Sequence, residues 1–485
     1  MTITQANSWR PKILFISSTF VILSFFAFLA PYSGKAQAQK KLGVNAKYFD
    51  GDRISTSSSA VFWFGKLDQT ANHVDVRIGY NANEIQIFTN IFDSELFYDQ
   101  AATVSEFDNW DSVDIYLRPQ GSNTSYLFKN QFHHFQSSAD YRLAYRNSGS
   151  GYSLDNSIPF QTAKVWYGQS PNQATNPPGE RGWYSKFNIP FSSLGLTTAP
   201  SKGTVWDMAI VVHDRDDAAG TTINQQIWPS DANVTNPASW GELRFSRTAD
   251  NTPFATQTGT LTLRHGINGV TVPDSHVGGG ANCGEDHHPN FFNGWSTHNF
   301  PGVQQINIQN QMNVEDWPCF SKYFISFPVD QIPAGKIVLS AELTMFHFGN
   351  AGGNQSSPSN EQARGSTLQV MTVDSSWDET TLNWQNSPSV VEHIADTWVT
   401  PIINENNFAS PAIPVTWDIK SAVTQAYAAN ETLNLAIYAA DWDLHSGKYF
   451  YSSDARDDYH RPILTITYGD AAAPTDFAYL PIVIR

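Results

Sequence analysis

The feature that most constrains this chain is a two-residue hydrophobic alternation that recurs along most of its length. Val74, Val76, Ile78 and Tyr80 fall on one face of an extended segment. Ile85, Ile87, Thr89 and Ile91 fall on one face of the next, with Asn81-Ala82-Asn83 as the turn between them. Val113, Ile115 and Leu117 repeat the pattern, as do Met208, Ile210 and Val212. Successive side chains of a strand point to opposite sides of a sheet, so this spacing predicts strands with one buried face. Polar, turn-rich stretches such as 147–151 and 170–179 separate them. No sustained helical spacing precedes residue 410. The expectation is an all-β chain built from antiparallel sandwiches.

The alternation is interrupted once. Residues 247–256 are polar and follow a terminal strand at Glu242–Phe245. A second series then begins, with Ile325, Phe327 and Val329, then Ala341, Leu343 and Met345, then Leu433, Leu435 and Ile437, then Ile463, Thr465 and Thr467. This predicts two consecutive β-sandwich domains, 41–247 and 257–469, joined by a linker over 248–256. One short helix is expected in the second, with Asp418 as N-cap and Ile419, Val423 and Tyr427 along one face. Residues 350–366 read as a surface loop, and 470–485 as a linker and C-terminal tail. The tail ends in Tyr479-Leu-Pro-Ile-Val-Ile-Arg485, which suits either a final strand or a sorting tail.

The first 38 residues have a different character. Arg10 and Lys12 precede an apolar run from Ile13 to Ala30, followed by Pro31 and the small-residue step Ala36-Gln37-Ala38. That order is a secretory signal with cleavage after Ala38; an uncleaved anchor is the rival reading. No later segment is apolar and long enough to span a bilayer, so a secreted or cell-surface protein is expected. Of 485 residues, 29 are Lys or Arg and 45 are Asp or Glu, a net charge of −16, which argues against nucleic acid as a partner. Cys283 and Cys319 are the two cysteines, and outside the cell they are expected to form a disulfide. Closing a loop of about 36 residues would add roughly 3–4 kcal/mol in the chain-entropy picture.

Several local groups in the first module carry a family resemblance. They are Asn109-Trp-Asp-Ser-Val-Asp-Ile-Tyr-Leu117, Gly182-Trp-Tyr-Ser-Lys-Phe-Asn-Ile-Pro-Phe-Ser-Ser-Leu-Gly195, Trp206 with His213-Asp-Arg-Asp-Asp217, and Asn236-Pro-Ala-Ser-Trp-Gly-Glu-Leu243. Their order resembles the family 9 carbohydrate-binding modules over about residues 45–247. The resemblance implies a sandwich that binds sugar, with aromatic rings against the C–H face of a pyranose and planar polar groups on its hydroxyls. Trp110, Trp166 and Trp228 are the candidate contacts; Trp183 and Trp206 sit inside strand patterns and read as core. Members often hold calcium, which takes oxygen ligands, and Asp214, Asp216 and Asp217 are the candidate set, a solvated turn being the alternative.

In the second module the carriers are Phe320–Phe348, Trp377-Asp-Glu-Thr-Thr-Leu-Asn-Trp-Gln-Asn-Ser-Pro388, Trp417-Asp-Ile419, Ser452-Ser-Asp-Ala455 and Arg461-Pro-Ile-Leu-Thr-Ile-Thr-Tyr468. This order resembles the DNRLRE domain, a jelly-roll-like sandwich related to disaggregatase-associated domains and family 96 carbohydrate-binding modules. The match departs over 275–318, an insertion holding His276, Glu285, Asp286, His287, His288 and His298. His287 and His288 are candidate ligands for a divalent metal, against a polar loop tied by the disulfide. Gly-x-Ser-x-Gly is absent, and the two modules consume the mature chain, leaving no third domain for catalysis. The resemblances favour a secreted protein that binds polysaccharide over a polysaccharide-degrading enzyme or a surface scaffold.

Overall fold

The computed structural model describes residues 41–471, apart from 69, 100–102, 133–141, 168–181, 222, 249–254, 280–293 and 312–318. The signal segment, Cys283, His287, His288 and the C-terminal tail lie outside the described residues. The described chain is all-β, with antiparallel sheets and one α-helix, Lys420–Ala429. No described helix is long and apolar enough to cross a membrane.

The strands form four stacked layers. Tyr152–Leu154, Arg142–Asn147, Ser125–Gln131, Ser112–Arg118, Val205–Arg215, Ile223–Trp228 and Gly241–Phe245 make the first. The second contains Ala60–Asp68, Ala71–Tyr80, Glu84–Phe92, Gly182–Pro190 and Gln161–Tyr167. Gly43–Tyr48 joins the two: Gly43 to Ala46 run parallel to Glu242 to Phe245, and Lys47 and Tyr48 lie beside Gly79 and Tyr80, again parallel. The third layer holds Asp274–Gly278, Ser321–Phe327, Leu433–Ala439, Ser366–Val373 and Val390–Val399. The fourth holds Ala255–Leu263, Ile463–Ala471, Ile337–Asn350, Phe408–Asp418, Lys448–Tyr451 and Gln305–Ile308. Among the described residues no strand pairing joins the first two layers to the last two.

The alternating residues build the interiors. Val74, Val76, Ile78, Ile85, Ile87 and Ile91 meet Val113, Ile115, Leu117, Met208 and Ile210 in one core. Leu343, Met345, Leu464 and Ile466 meet Ile325, Leu435 and Ile437 in another. The helix begins one residue later than its capping signal: Asp418 Oδ1 accepts the Lys420 N–H at 3.0 Å, and Asn430 closes the far end in a left-handed conformation. Ile419 and Val423 are buried, while the Tyr427 hydroxyl donates to the Pro333 carbonyl at 2.7 Å.

The polar partners of the first alternation are buried too. His73, Asp75 and Arg77 interleave with Val74 and Val76, and their side of the second layer packs on the third. Asp75 accepts from the Tyr438 hydroxyl at 2.8 Å and the Asn310 amide at 3.2 Å, while Arg77 donates to the Ala440 carbonyl at 2.9 Å. Lys322 places its ammonium 3.8 Å from Asp75, 4.3 Å from the Trp63 ring centre and 3.7 Å from that of Trp384. Burial would raise the Asp75 pKa, but Lys322, His73 and Arg77 outweigh it and hold it at about 2. Burial pulls Lys322 down to about 7, with Asp75 opposing.

The edge strand Ala60–Asp68 is sealed by side chains of the second module. Gln369 accepts the Val61 N–H at 3.1 Å and donates to the Ser59 carbonyl at 2.7 Å. Gln385 accepts from Leu67 N–H at 3.0 Å and donates to the Leu67 carbonyl. An open strand edge invites pairing with another chain, and these amides occupy it.

Candidate functional site

One face of the fourth layer carries a row of aromatic rings, half-buried except for Phe348, which is buried, and Phe408, which is exposed. Phe346 and Phe348 stand two residues apart on the long strand Ile337–Asn350, and Tyr449 and Tyr451 two apart on its neighbour. The intervening Met345, His347 and Phe450 point inward and are buried. Phe408 and Phe348 lie 6.0 Å apart at 18°, Phe348 and Tyr451 4.5 Å at 34°, and Tyr451 and His460 5.0 Å at 26°. Gly349 makes the packing possible, since a Cβ there would come within 3.2 Å of both the Phe408 and Tyr449 rings. Phe408 is 54% exposed and Tyr459 78%. Asp457 accepts the Tyr459 N–H at 2.9 Å and lies 3.0 Å from the His460 ring, which orients both residues at the end of the row. Exposed Arg456 and Asp458 beside them supply planar polar groups. The exposed Phe408 and Tyr459 rings, with carboxylate and guanidinium groups near the latter, are the part of this face that can take the C–H faces and hydroxyls of a polyhydroxylated ligand.

Three clusters of potential metal ligands occur among the described residues, and their surroundings separate them. Asp108, Asp114 and His213 enclose Lys129, whose ammonium lies 2.5 Å from Asp108 and 2.9 Å from Asp114, so a cation is already there. Asp274, Glu379 and Asp454 are served by donors: Asp274 accepts from Tyr323 and twice from Ser453. Burial still raises Asp274 to about 7. The third cluster, Asp93, Asp111 and Asp214, is fully buried. Asp93 accepts from Trp183 Nε1 and Glu95 N–H, both at 2.9 Å, and Asp111 from Arg215 N–H at 2.9 Å and Phe97 N–H at 2.5 Å. Both oxygens of Asp214 are buried beside the Asn72 side chain, which lowers its pKa against the effect of burial. Burial first, then the neighbouring carboxylates, pushes all three pKa values well above the usual carboxylate range. Three carboxylates with ligand atoms within 4.8 Å of one another offer the oxygen donors that a hard divalent ion such as calcium takes.

The residues expected from the sequence are distributed unevenly over these sites. Asp214 belongs to the buried triad. Asp216 stands close by, raised to about 6 by burial first and then Glu95. Asp217 lies outside the triad: it accepts from Thr221 N–H at 3.1 Å and from its hydroxyl, and these bonds hold its pKa down. Trp228 is corrected. It ends the strand Ile223–Trp228, is 1% exposed, and packs 4.6 Å from Phe62, so its ring has no face for a sugar. Trp110 is half-buried with the Arg215 guanidinium 3.7 Å over its ring, leaving one face at most. Trp166 pairs with Trp183 and shares its core-facing side of the sheet, half-buried at the edge. Trp183 and Trp206 are core residues as expected. His276 is buried with its ring 4.1 Å from Phe300, and Cys319 is buried just before the strand Ser321–Phe327.

The aromatic row was missed although its signal is legible: Phe346/Phe348 and Tyr449/Tyr451 repeat at the period of a strand, in alternation with Met345, His347 and Phe450. Asp93 and Asp111 gave no such signal, because they lie far from Asp214 in the chain and only the fold brings them together.

The sequence model of carbohydrate-binding module family 96 matches residues 292–468, the segment that contains the aromatic row. No curated protein matches the chain. Among solved structures, a family 9 carbohydrate-binding module from Caldicellulosiruptor kristjanssonii in complex with cellotriose is 15% identical, covering 43% of this chain and 96% of its own, with a TM-score of 0.28. The same organism's family 9 module with glucose is 17% identical, covering 43% and 98%, at 0.27. A protein from Bacteroides uniformis assigned to carbohydrate binding is 12% identical, covering 42% and 100%, at 0.32. The family 96 resemblance read from the sequence thus reappears as a family-model match over residues 292–468.

Proposed function

We propose that this chain is an exported carbohydrate-binding protein, secreted or held at the cell surface, that grips polysaccharide along the aromatic row of its fourth layer. The observation that carries the reading is the row itself, which lies inside the segment matching a carbohydrate-binding family. Calcium in the Asp93–Asp111–Asp214 triad belongs to the same reading as a structural ion: it would fix the loops that end the strands of the first two layers. A Cys283–Cys319 bridge, tying down the insertion, completes it. The test is retention of the purified protein on a panel of insoluble polysaccharides. Phe408→Ala and Tyr459→Ala, both at exposed rings, should each weaken retention about tenfold, as loss of a stacked ring implies, with the thermal midpoint unchanged. Wild-type protein that stays on no polysaccharide would sink the reading.

A further inference from the structure

A second polar feature lies on the opposite side of the third layer, between the two modules. Gly43–Tyr48 runs beside Val390–Val399, and the two strands wall a cleft of about 370 Å³. That volume is in the range of small-ligand sites. The Asn45 amide donates to the His393 carbonyl at 2.7 Å, and His393 Nε2 donates to the Val61 carbonyl at 2.5 Å. These bonds use one end of each side chain. Asn45 Oδ1 and His393 Nδ1 remain, both buried and without a hydrogen bond, on residues that line the cleft and are each 8% exposed. Burial keeps the His393 ring neutral at ordinary pH, its pKa lowered to about 4. With Nε2 carrying the proton, Nδ1 is an acceptor. Two residues of the inner wall therefore carry buried acceptors that need donors.

The rim is different. Tyr48 is 44% exposed, with its ring edge against Tyr80. Lys47 is held by Asp396 at 2.6 Å and Arg247 donates to the Ile394 carbonyl at 3.0 Å, while exposed Lys202 has no ion pair among the described residues. Two buried acceptors, an aromatic ring at the mouth and cationic donors around it are the groups a sugar needs: hydroxyl donors inward, a C–H face on the ring, ring and hydroxyl oxygens toward the cations.

We propose that this inter-module cleft is a second saccharide site, enclosing one or two sugar units in contrast to the open aromatic row. Asn45 Oδ1 and His393 Nδ1 accept hydroxyls, and Tyr48 supports the ring. The proposal rests on the carbohydrate-binding reading for its ligand class but on different residues for its site. Neither module forms the site by itself, since Asn45 and Tyr48 come from the first and His393 from the second.

The experiment is calorimetric titration of the full chain with D-glucose, cellobiose and D-glucuronate, run beside retention on insoluble polysaccharide. Ser58→Trp fills the cleft from its half-buried rim, and Tyr48→Ala removes the exposed ring, whose edge rests on Tyr80. At least one of the sugars should bind wild type, with binding weakened tenfold or more by Ser58→Trp and less by Tyr48→Ala, while Tyr459→Ala leaves it unchanged. Wild type that titrates with none of the three, or Ser58→Trp that titrates as wild type does, overturns the cleft site. In that case retention on polysaccharide that is lost in Tyr459→Ala leaves the aromatic-row reading standing. Titration without retention on any polysaccharide has the reverse meaning.

Discussion

Two of the places where the described residues bury charge resolve it in opposite ways. At the junction between the modules, Asp75 faces a built-in cation, Lys322, in a cage of Trp63, Trp384 and Tyr438. Inside the first module, Asp93, Asp111 and Asp214 face one another, the further carboxylate Asp216, and backbone, indole or amide donors. The pKa directions follow: Asp75 is held down, the triad pushed up. A buried carboxylate with its counter-charge supplied by the chain is complete on folding. A buried carboxylate group without one is stable only when protonated or bound to a cation from outside.

The largest effect should come from breaking the completed pair. Asp75→Asn leaves the Lys322 ammonium buried without its counter-charge and should cost about 3–5 kcal/mol, read from the urea midpoint. Adding Lys322→Met to that variant should recover most of the loss. A cost near zero for Asp75→Asn would mean that Lys322 is neutral and the contrast false. Next is the triad. Calcium at a hundredfold excess over its dissociation constant should stabilise the protein by about 2.7 kcal/mol, and Asp214→Asn should abolish the effect.

The two sites also differ in the sign of their pH dependence. The triad's raised pKa values mean that the folded, calcium-free protein binds more protons than the unfolded chain above about pH 4. Its contribution is therefore present in acid and lost as pH rises, so calcium should raise the thermal midpoint more at pH 7 than at pH 4.5. Asp75 acts oppositely: its contribution is present above the unfolded value near 4 and lost as pH falls toward 2. Smaller effects sharpen the comparison with uncharged contacts. Gln385→Ala, which strips both partners from Leu67, should cost about 1–3 kcal/mol. Ile87→Val, in the apolar interior, should cost about 0.5–1.5 kcal/mol.

Much of the fold could be read in the sequence because one-sided burial leaves a period of two. Val74, Val76, Ile78, Ile85, Ile87 and Ile91 are all core, and Asn81 makes the turn between them by accepting from Asn83 and Glu84. The same period misled where burial is two-sided. Asp75 and Arg77 alternate as solvent residues would, yet a second sheet covers them, and nothing local marks a polar face that another module will satisfy. Trp228 failed for a related reason. A Trp before Pro in a polar stretch suggests a loop, but the ring closes a strand and fills the gap above Gly241, where a Cβ would strike it at 2.5 Å. The acidic turn at 213–217 flagged one true member of the triad, Asp214. The other two members depend on long-range pairing, which composition and spacing do not encode.

The sealed edge at Ala60–Asp68 bears on how the molecule comes into being. Synthesis runs from the N-terminus, so this strand exists about three hundred residues before Gln369, Gln385 and His393 do. Throughout that interval its backbone groups stand open on a flank that any neighbouring nascent chain can join. The later half of the polypeptide is thus the earlier half's own guardian against misassembly, and the last contacts to form are the ones that make the first strand safe.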